Sequence, residues 1–186
     1  MTCIVAIEEK GHVYFGGDSF CGDLEDEIVD LCDSPKVYKC GKVLIGICGS
    51  VKCEHVLERC VKTHVSKRKN ITKDWIKNDF LKILEIEMIK HKAVVTKESG
   101  IMMPDNSTFL IGIDGEILVL QDDFSLYRSS RKFAAIGLGA PYALGALNSL
   151  INFDIPAEEK LKLALKSSTE FSYYVREPFH IITSKD

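Results

Sequence analysis

The stretch Met1-Thr2-Cys3-Ile4-Val5-Ala6-Ile7-Glu8-Glu9-Lys10-Gly11-His12-Val13-Tyr14-Phe15-Gly16-Gly17-Asp18 opens the chain with two apolar arms around a charged turn. Val, Ile, Tyr and Phe dominate both arms, which predicts a β-hairpin, and Gly11 supplies the positive φ that a tight turn demands. Thr2 stands at the start of the first arm. Its small side chain permits removal of Met1, which would leave one residue carrying both a hydroxyl and a free α-amine. Such an amine has a pKa of about 7.7 to 8.0, so near neutrality part of it is unprotonated and can take the hydroxyl proton. Hydrophobic alternation alone explains the strand without any function, so the remaining sequence must decide. The same alternation points Cys3 to the face opposite Thr2.

A chain of 186 residues with net charge -3 predicts one domain, residues 1–186, with one sizeable core. The mixed charge gives no nucleic-acid footprint, and the basic run Lys62–Lys69 reads as a solvated helix end. The apolar run Cys3–Ile7 is too short for a signal peptide and meets Glu8-Glu9 at once; no transmembrane span is expected. All seven cysteines fall in the first sixty residues, an odd number without an export signal, which reads as reduced and cytoplasmic. Cys48, Cys53, His55 and Cys60 form the densest Cys/His group but lack paired C-x2-C spacing, so neither a metal nor another cofactor is expected.

Outward from the hairpin, Ser19–Ser34 is polar and aperiodic and reads as a long loop. A second hairpin follows over 35–49, turning at Cys40-Gly41, with a nearly all-apolar returning arm. Helical spacing runs through Val51–Val65 and Thr72–Lys92, where Trp75 reads as a packing anchor. Asp114-Gly115 marks a hairpin between 107–113 and 116–120, and further strands are expected over 124–128 and 132–137. Two more helices, Pro141–Ile151 and Pro156–Phe171, precede a last strand over Phe179–Thr183; Asp154 is the candidate N-cap of the second. Strands, two helices, strands, two helices, strand predict an α+β fold: a four-layer αββα sandwich of two antiparallel sheets between two helical pairs, with Thr2 facing a cleft.

Five segments in order then carry a resemblance: Thr2-Cys3-Ile4-Val5, Gly16-Gly17-Asp18-Ser19, Pro35-Lys36-Val37, Lys42 through Ser50 (KVLIGICGS), and Ala135 through Gly145 (AIGLGAPYALG). Together they resemble the proteasome β-subunit and HslV peptidase family of N-terminal nucleophile hydrolases, over Thr2 to about Ile182. The resemblance implies a threonine-type endopeptidase: Thr2 as nucleophile, Asp18 as buried aspartate, Lys36 as the lysine beside the nucleophile, and Gly46 as the backbone donor to the oxyanion. These types suit the roles. An ammonium at Lys36 would depress the Thr2 amine pKa and stabilise an alkoxide, and a backbone donor at the oxyanion is worth about 2.7 to 4 kcal/mol. Leu44 and Cys48 share the face of Gly46 by period two and are expected to line an apolar pocket.

The resemblance has departures. Leu138 stands where the family has a serine, Glu170 where it has an aspartate, and Tyr173 where many members have a serine. Leucine cannot hydrogen-bond. A catalytically silent or weak structural subunit is therefore the alternative, and the fold would also permit hydrolysis of a small amide. The resemblance further implies polypeptide substrates, self-assembly into stacked hexameric or heptameric rings, and an ATP-dependent unfoldase.

Overall fold

The structure is a computed structural model that describes residues 2–23, 28–98 and 102–185. Met1 lies outside them. In chain order the elements begin with β1 (Cys3–Glu9), β2 (His12–Gly17), β3 (Phe20–Asp23), β4 (Ile28–Leu31), β5 (Val37–Cys40) and β6 (Val43–Cys48). Helix α1 (Val51–Cys60) runs on through a wider π-type segment, Val61–Val65. Helices α2 (Lys73–Trp75) and α3 (Leu81–Lys90) flank a second such segment, Ile76–Phe80. Then come β7 (Val94–Thr96), β8 (Met102–Pro104), β9 (Thr108–Ile113), β10 (Glu116–Leu120), β11 (Leu126–Arg128), β12 (Phe133–Gly137), α4 (Ala140–Leu150), α5 (Ala157–Phe171) and β13 (His180–Thr183).

Two antiparallel sheets form the centre. One has the order β12-β1-β2-β13, the other β11-β10-β9-β6-β5. The first hairpin closes where Lys10 and Gly11 both adopt positive φ, and Asp114 and Gly115 repeat that pattern between β9 and β10. Such turns match the right-handed twist of the strands they join.

Each pair of adjacent layers encloses its own apolar core. Val43, Ile45, Ile47 and Phe109 of the five-stranded sheet pack with Leu57, Phe80 and Leu84 from the first helical pair. Cys3, Val5 and Ile7 pack with Ala143, Leu147, Leu161 and Leu165 from the second pair. Between the sheets lie Ile4, Ala6, Phe15, Leu44 and Leu110. The period of two along β1 thus sends alternate residues into different cores. The architecture is the expected αββα sandwich. No helix among the described residues is long and apolar enough to cross a membrane.

Two local expectations are corrected. Within the polar segment 19–34, Phe20–Asp23 and Ile28–Leu31 pair as a hairpin, tied at its base by Cys32 N–H donating to Ser19 O at 2.8 Å. Asp154 does not cap α5: Pro156 occupies the N-cap and no side chain bonds there. The first turn closes on backbone instead, with the Glu159 and Lys160 N–H groups both donating to Pro156 O at 3.0 Å.

Candidate active site

β1 and β2 bring Thr2 and Asp18 together because Ile4 pairs with Gly17, so the residue before one strand meets the residue after the other. Asp18 is wholly buried and Thr2 nearly so. Thr2 Oγ1 donates to Asp18 Oδ1 at 3.0 Å, and the Cys3 N–H donates to the same oxygen at 2.9 Å. Lys36 Nζ is the third donor to it, at 3.0 Å, and also donates to the Phe20 carbonyl at 2.5 Å. The other oxygen, Oδ2, accepts from the N–H groups of Phe20 at 2.9 Å and Arg176 at 3.4 Å. One buried carboxylate therefore holds the threonine hydroxyl and the lysine ammonium at a common oxygen. A buried anion is tolerable only with such partners.

Thr2 is held from the other side as well. Its carbonyl accepts from Gly139 N–H at 3.3 Å, and a Cβ on Gly137 (φ +94°) would lie 2.2 Å from that oxygen. Only glycine lets β12 approach so closely. Ser168 Oγ of α5 donates to Gly139 O at 3.0 Å and touches Cys3 Sγ at 3.5 Å, which links the second helical pair to the turn over Thr2. Nothing in the sequence motifs singled out Ser168, a lone serine in an amphipathic helix. The same is true of the Phe20 carbonyl and the Arg176 amide, since backbone groups leave no residue-type signal.

Cys3 is the rival nucleophile beside Thr2. Burial pushes its thiol up to about 12, with the Ser168 hydrogen bond opposing, so it stays protonated at neutral pH. A thiol in that state is inert.

Thr2 and Lys36 line a cleft of about 770 Å³, walled by β3, the segment Cys32–Pro35, β5 and one side of α1. Leu44 and Cys48 do not line it. Both belong with the core between the sheets, where Leu44 is wholly buried, and Ile47 of β6 reaches the cleft instead.

Gly46 is opposite Val37 on one side and Leu110 on the other, and a Cβ there would sit 2.8 Å from Ile4 Cγ2. It is a close-packing position between the sheets. Ile47 N–H donates to Lys36 O at 3.2 Å, so the alternation of an antiparallel ladder turns the Gly46 N–H toward β9. As folded, that amide serves the sheet, which corrects its expected part as oxyanion donor.

The departures also find their places. Leu138 is half exposed on the turn between β12 and α4. Glu170 is exposed on α5 and makes no recorded side-chain hydrogen bond among the described residues. Tyr173, half exposed, meets Phe20 edge-on with ring centroids 6.3 Å apart, and the Arg176 guanidinium lies over it at 5.0 Å. The buried hydroxyl of that turn is on its neighbour Ser172. Among the described residues no cluster of His, Cys, Asp and Glu is arranged to hold a metal ion.

No protein-family model matches the chain. Among curated proteins, the ATP-dependent protease subunit HslV of Caldicellulosiruptor saccharolyticus is 27% identical over 192 aligned positions, covering 97% of each chain. Among solved structures, Thiobacillus denitrificans BPH has a TM-score of 0.79 at 18% identity, covering 98% of this chain and 97% of that one. In complex with Epoxomicin the same protein gives 0.77 at 17%, with the same coverage. HslV from Trypanosoma brucei gives 0.67 at 19%, covering 98% of both. In sequence and in fold, over nearly its whole length, the chain resembles HslV-type proteasome β-subunits and shares their fold.

Proposed function

We propose that this chain is a proteasome-like peptidase of the threonine type, with Thr2 as its nucleophile once Met1 is removed. The observation that carries the reading is the convergence of the Thr2 hydroxyl and the Lys36 ammonium on Asp18 Oδ1 at the wall of a cleft. The likeness to HslV, named as a protease subunit, supports the reaction class.

The chemistry follows from those groups. The freed Thr2 amine takes the hydroxyl proton, and Oγ1 attacks the carbonyl carbon of a peptide bond. Lys36 lowers the energy of the alkoxide and of the tetrahedral oxyanion by its fixed positive charge, while Asp18 fixes the lysine in place. The leaving amine takes the proton as the intermediate collapses to an ester. Water, deprotonated by the Thr2 amine, then attacks the ester carbon; the C–Oγ1 bond breaks, the amine returns the proton to Oγ1, and the second product leaves with a new carboxyl group.

The name of the HslV relative, a subunit of an ATP-dependent protease, supports assembly with further copies and an ATP-driven partner. Six or seven copies per ring is the reading that the resemblance favours. A monomer mass by light scattering at working concentration would sink it. A silent structural subunit is favoured by one residue, Leu138, which leaves no hydroxyl on the turn over Thr2.

Intact mass before and after treatment with a peptide epoxyketone, which closes a ring on both the hydroxyl and the amine of an N-terminal threonine, separates the two. The expected result is protein lacking Met1 that gains one adduct per chain, with Thr2→Ala gaining none and losing peptide hydrolysis by at least about 10³-fold. Processed protein without an adduct would establish the silent subunit.

A further inference from the structure

Besides Lys36, the cleft is lined by two polar side chains that have no partner among the described residues. Tyr38 shares the Lys36 side of β5 by period two, and its Oη is buried with no hydrogen bond. Glu54, half-buried on α1, lines the same cleft, and among the described residues its carboxylate makes no recorded hydrogen bond or ion pair. The two are near enough that the Glu54 charge helps push the Tyr38 ionisation up, after burial itself. Lys36 is likewise near enough to Glu54 to be felt there.

Among the other charged groups lining the cleft, Asp33 and His55 are exposed side chains, and the three lysines are committed. Lys36 is held by Asp18 at 3.0 Å, Lys39 donates to the Lys185 carbonyl at 2.8 Å, and Lys62 pairs with Glu58 at 2.6 Å. What is left is a half-buried carboxylate, Glu54, on the same cleft wall as an uncommitted phenol, with the exposed Asp33 adding a second negative charge at the cleft. An aliphatic side chain entering here would seal both away from water unpaired, whereas a cation carrying several N–H donors would bond both.

We propose that Glu54 and Tyr38 are specificity-determining residues that make the cleft select a cationic side chain, lysine or arginine, next to the scissile bond. The inference rests on the peptidase reading and replaces the apolar pocket expected from Leu44 and Cys48. Glu54 supplies the charge and accepts from the ammonium or guanidinium. Tyr38 Oη offers a further acceptor for an N–H. Sites that hydrogen-bond a substrate group discriminate far more steeply than apolar ones that measure size.

The test compares kcat/KM for peptides with Arg, Lys, Leu or Asp before the scissile bond, on the assembled wild type, Glu54→Gln and Tyr38→Phe, each checked for native circular dichroism. Expected is a preference for Arg and Lys over Leu of about tenfold or more. Glu54→Gln should collapse that ratio toward one, and Tyr38→Phe should lower it several-fold. Preference for Leu, or a ratio untouched by Glu54→Gln, overturns the proposal. If no peptide is cleaved and no epoxyketone adduct forms, the peptidase reading has failed on its own. Calorimetric titration with agmatine then decides the cation site: binding to wild type and loss in Glu54→Gln sustains it, and no binding, or equal binding, removes it.

Discussion

The two ends of the cleft are built on opposite plans. At Asp18 both carboxylate oxygens are filled by donors from four separate stretches of chain, all inside the protein. At Tyr38 and Glu54, a phenol and a carboxylate on the walls of the same cleft have no partners among the described residues. A satisfied network holds atoms in place before anything arrives. An unsatisfied pair is costly when empty, and its cost is relieved only by what binds. The first plan suits a nucleophile, the second a recognition pocket.

Mutations should therefore have opposite signs at the two ends. Asp18→Ala leaves Lys36 nearly buried without its counter-ion, and a loss of about 3 to 5 kcal/mol is expected by denaturant unfolding at fixed protein concentration. A loss below about 1 kcal/mol would mean that the network is not holding the fold. Between the ends, Gly46→Ala forces a methyl to within 2.8 Å of Ile4 Cγ2 and should cost about 1 to 3 kcal/mol by the same measurement.

Glu54 gives a pH-dependent test. Burial raises its pKa, with His55 and Lys36 opposing and Glu58 adding to the rise. The folded state then holds the Glu54 proton more tightly than the unfolded state, so the group opposes folding increasingly as pH climbs through its unfolded and then its folded pKa. Glu54→Gln should erase that slope and leave the variant more stable than wild type at neutral pH, and less so in acid. Thermal unfolding across mildly acidic to neutral pH reads the sign directly. The smallest effect is expected at Tyr38→Phe, which removes an unpaired hydroxyl: stability unchanged or raised by up to about 1 kcal/mol. A clear loss would reveal a partner for Tyr38 in solution and weaken the contrast.

Much of the layering was readable because β1, β2, β6 and β9 are short, nearly continuous apolar runs, as strands buried on both faces must be, and the Lys10-Gly11 and Asp114-Gly115 turns announce themselves. The β3–β4 hairpin was not readable. Its segment is polar, and one of its fastening points, the Ser19 carbonyl bonded by Cys32 N–H, is pure backbone. At the site, the resemblance named Thr2, Asp18 and Lys36, which the fold places on one carboxylate oxygen. It did not name Ser168 or the Arg176 amide, and it put weight on Glu170, which α5 turns outward. Helix phase decides that, since Ser168 and Leu165 take the inward face. Leu44 was assigned to a pocket by period two alone, but a strand face says nothing about whether its neighbour is solvent or a second sheet.

β1 is where the molecule's time scales should meet. Its alternate side chains are sunk in two different cores, and its backbone is paired on both edges, with β2 and with β12. No local opening can free it while leaving either core intact. Its amide hydrogens should therefore exchange with deuterium only as fast as the whole chain unfolds, later than those of the three-residue strand β11 at the edge of the other sheet.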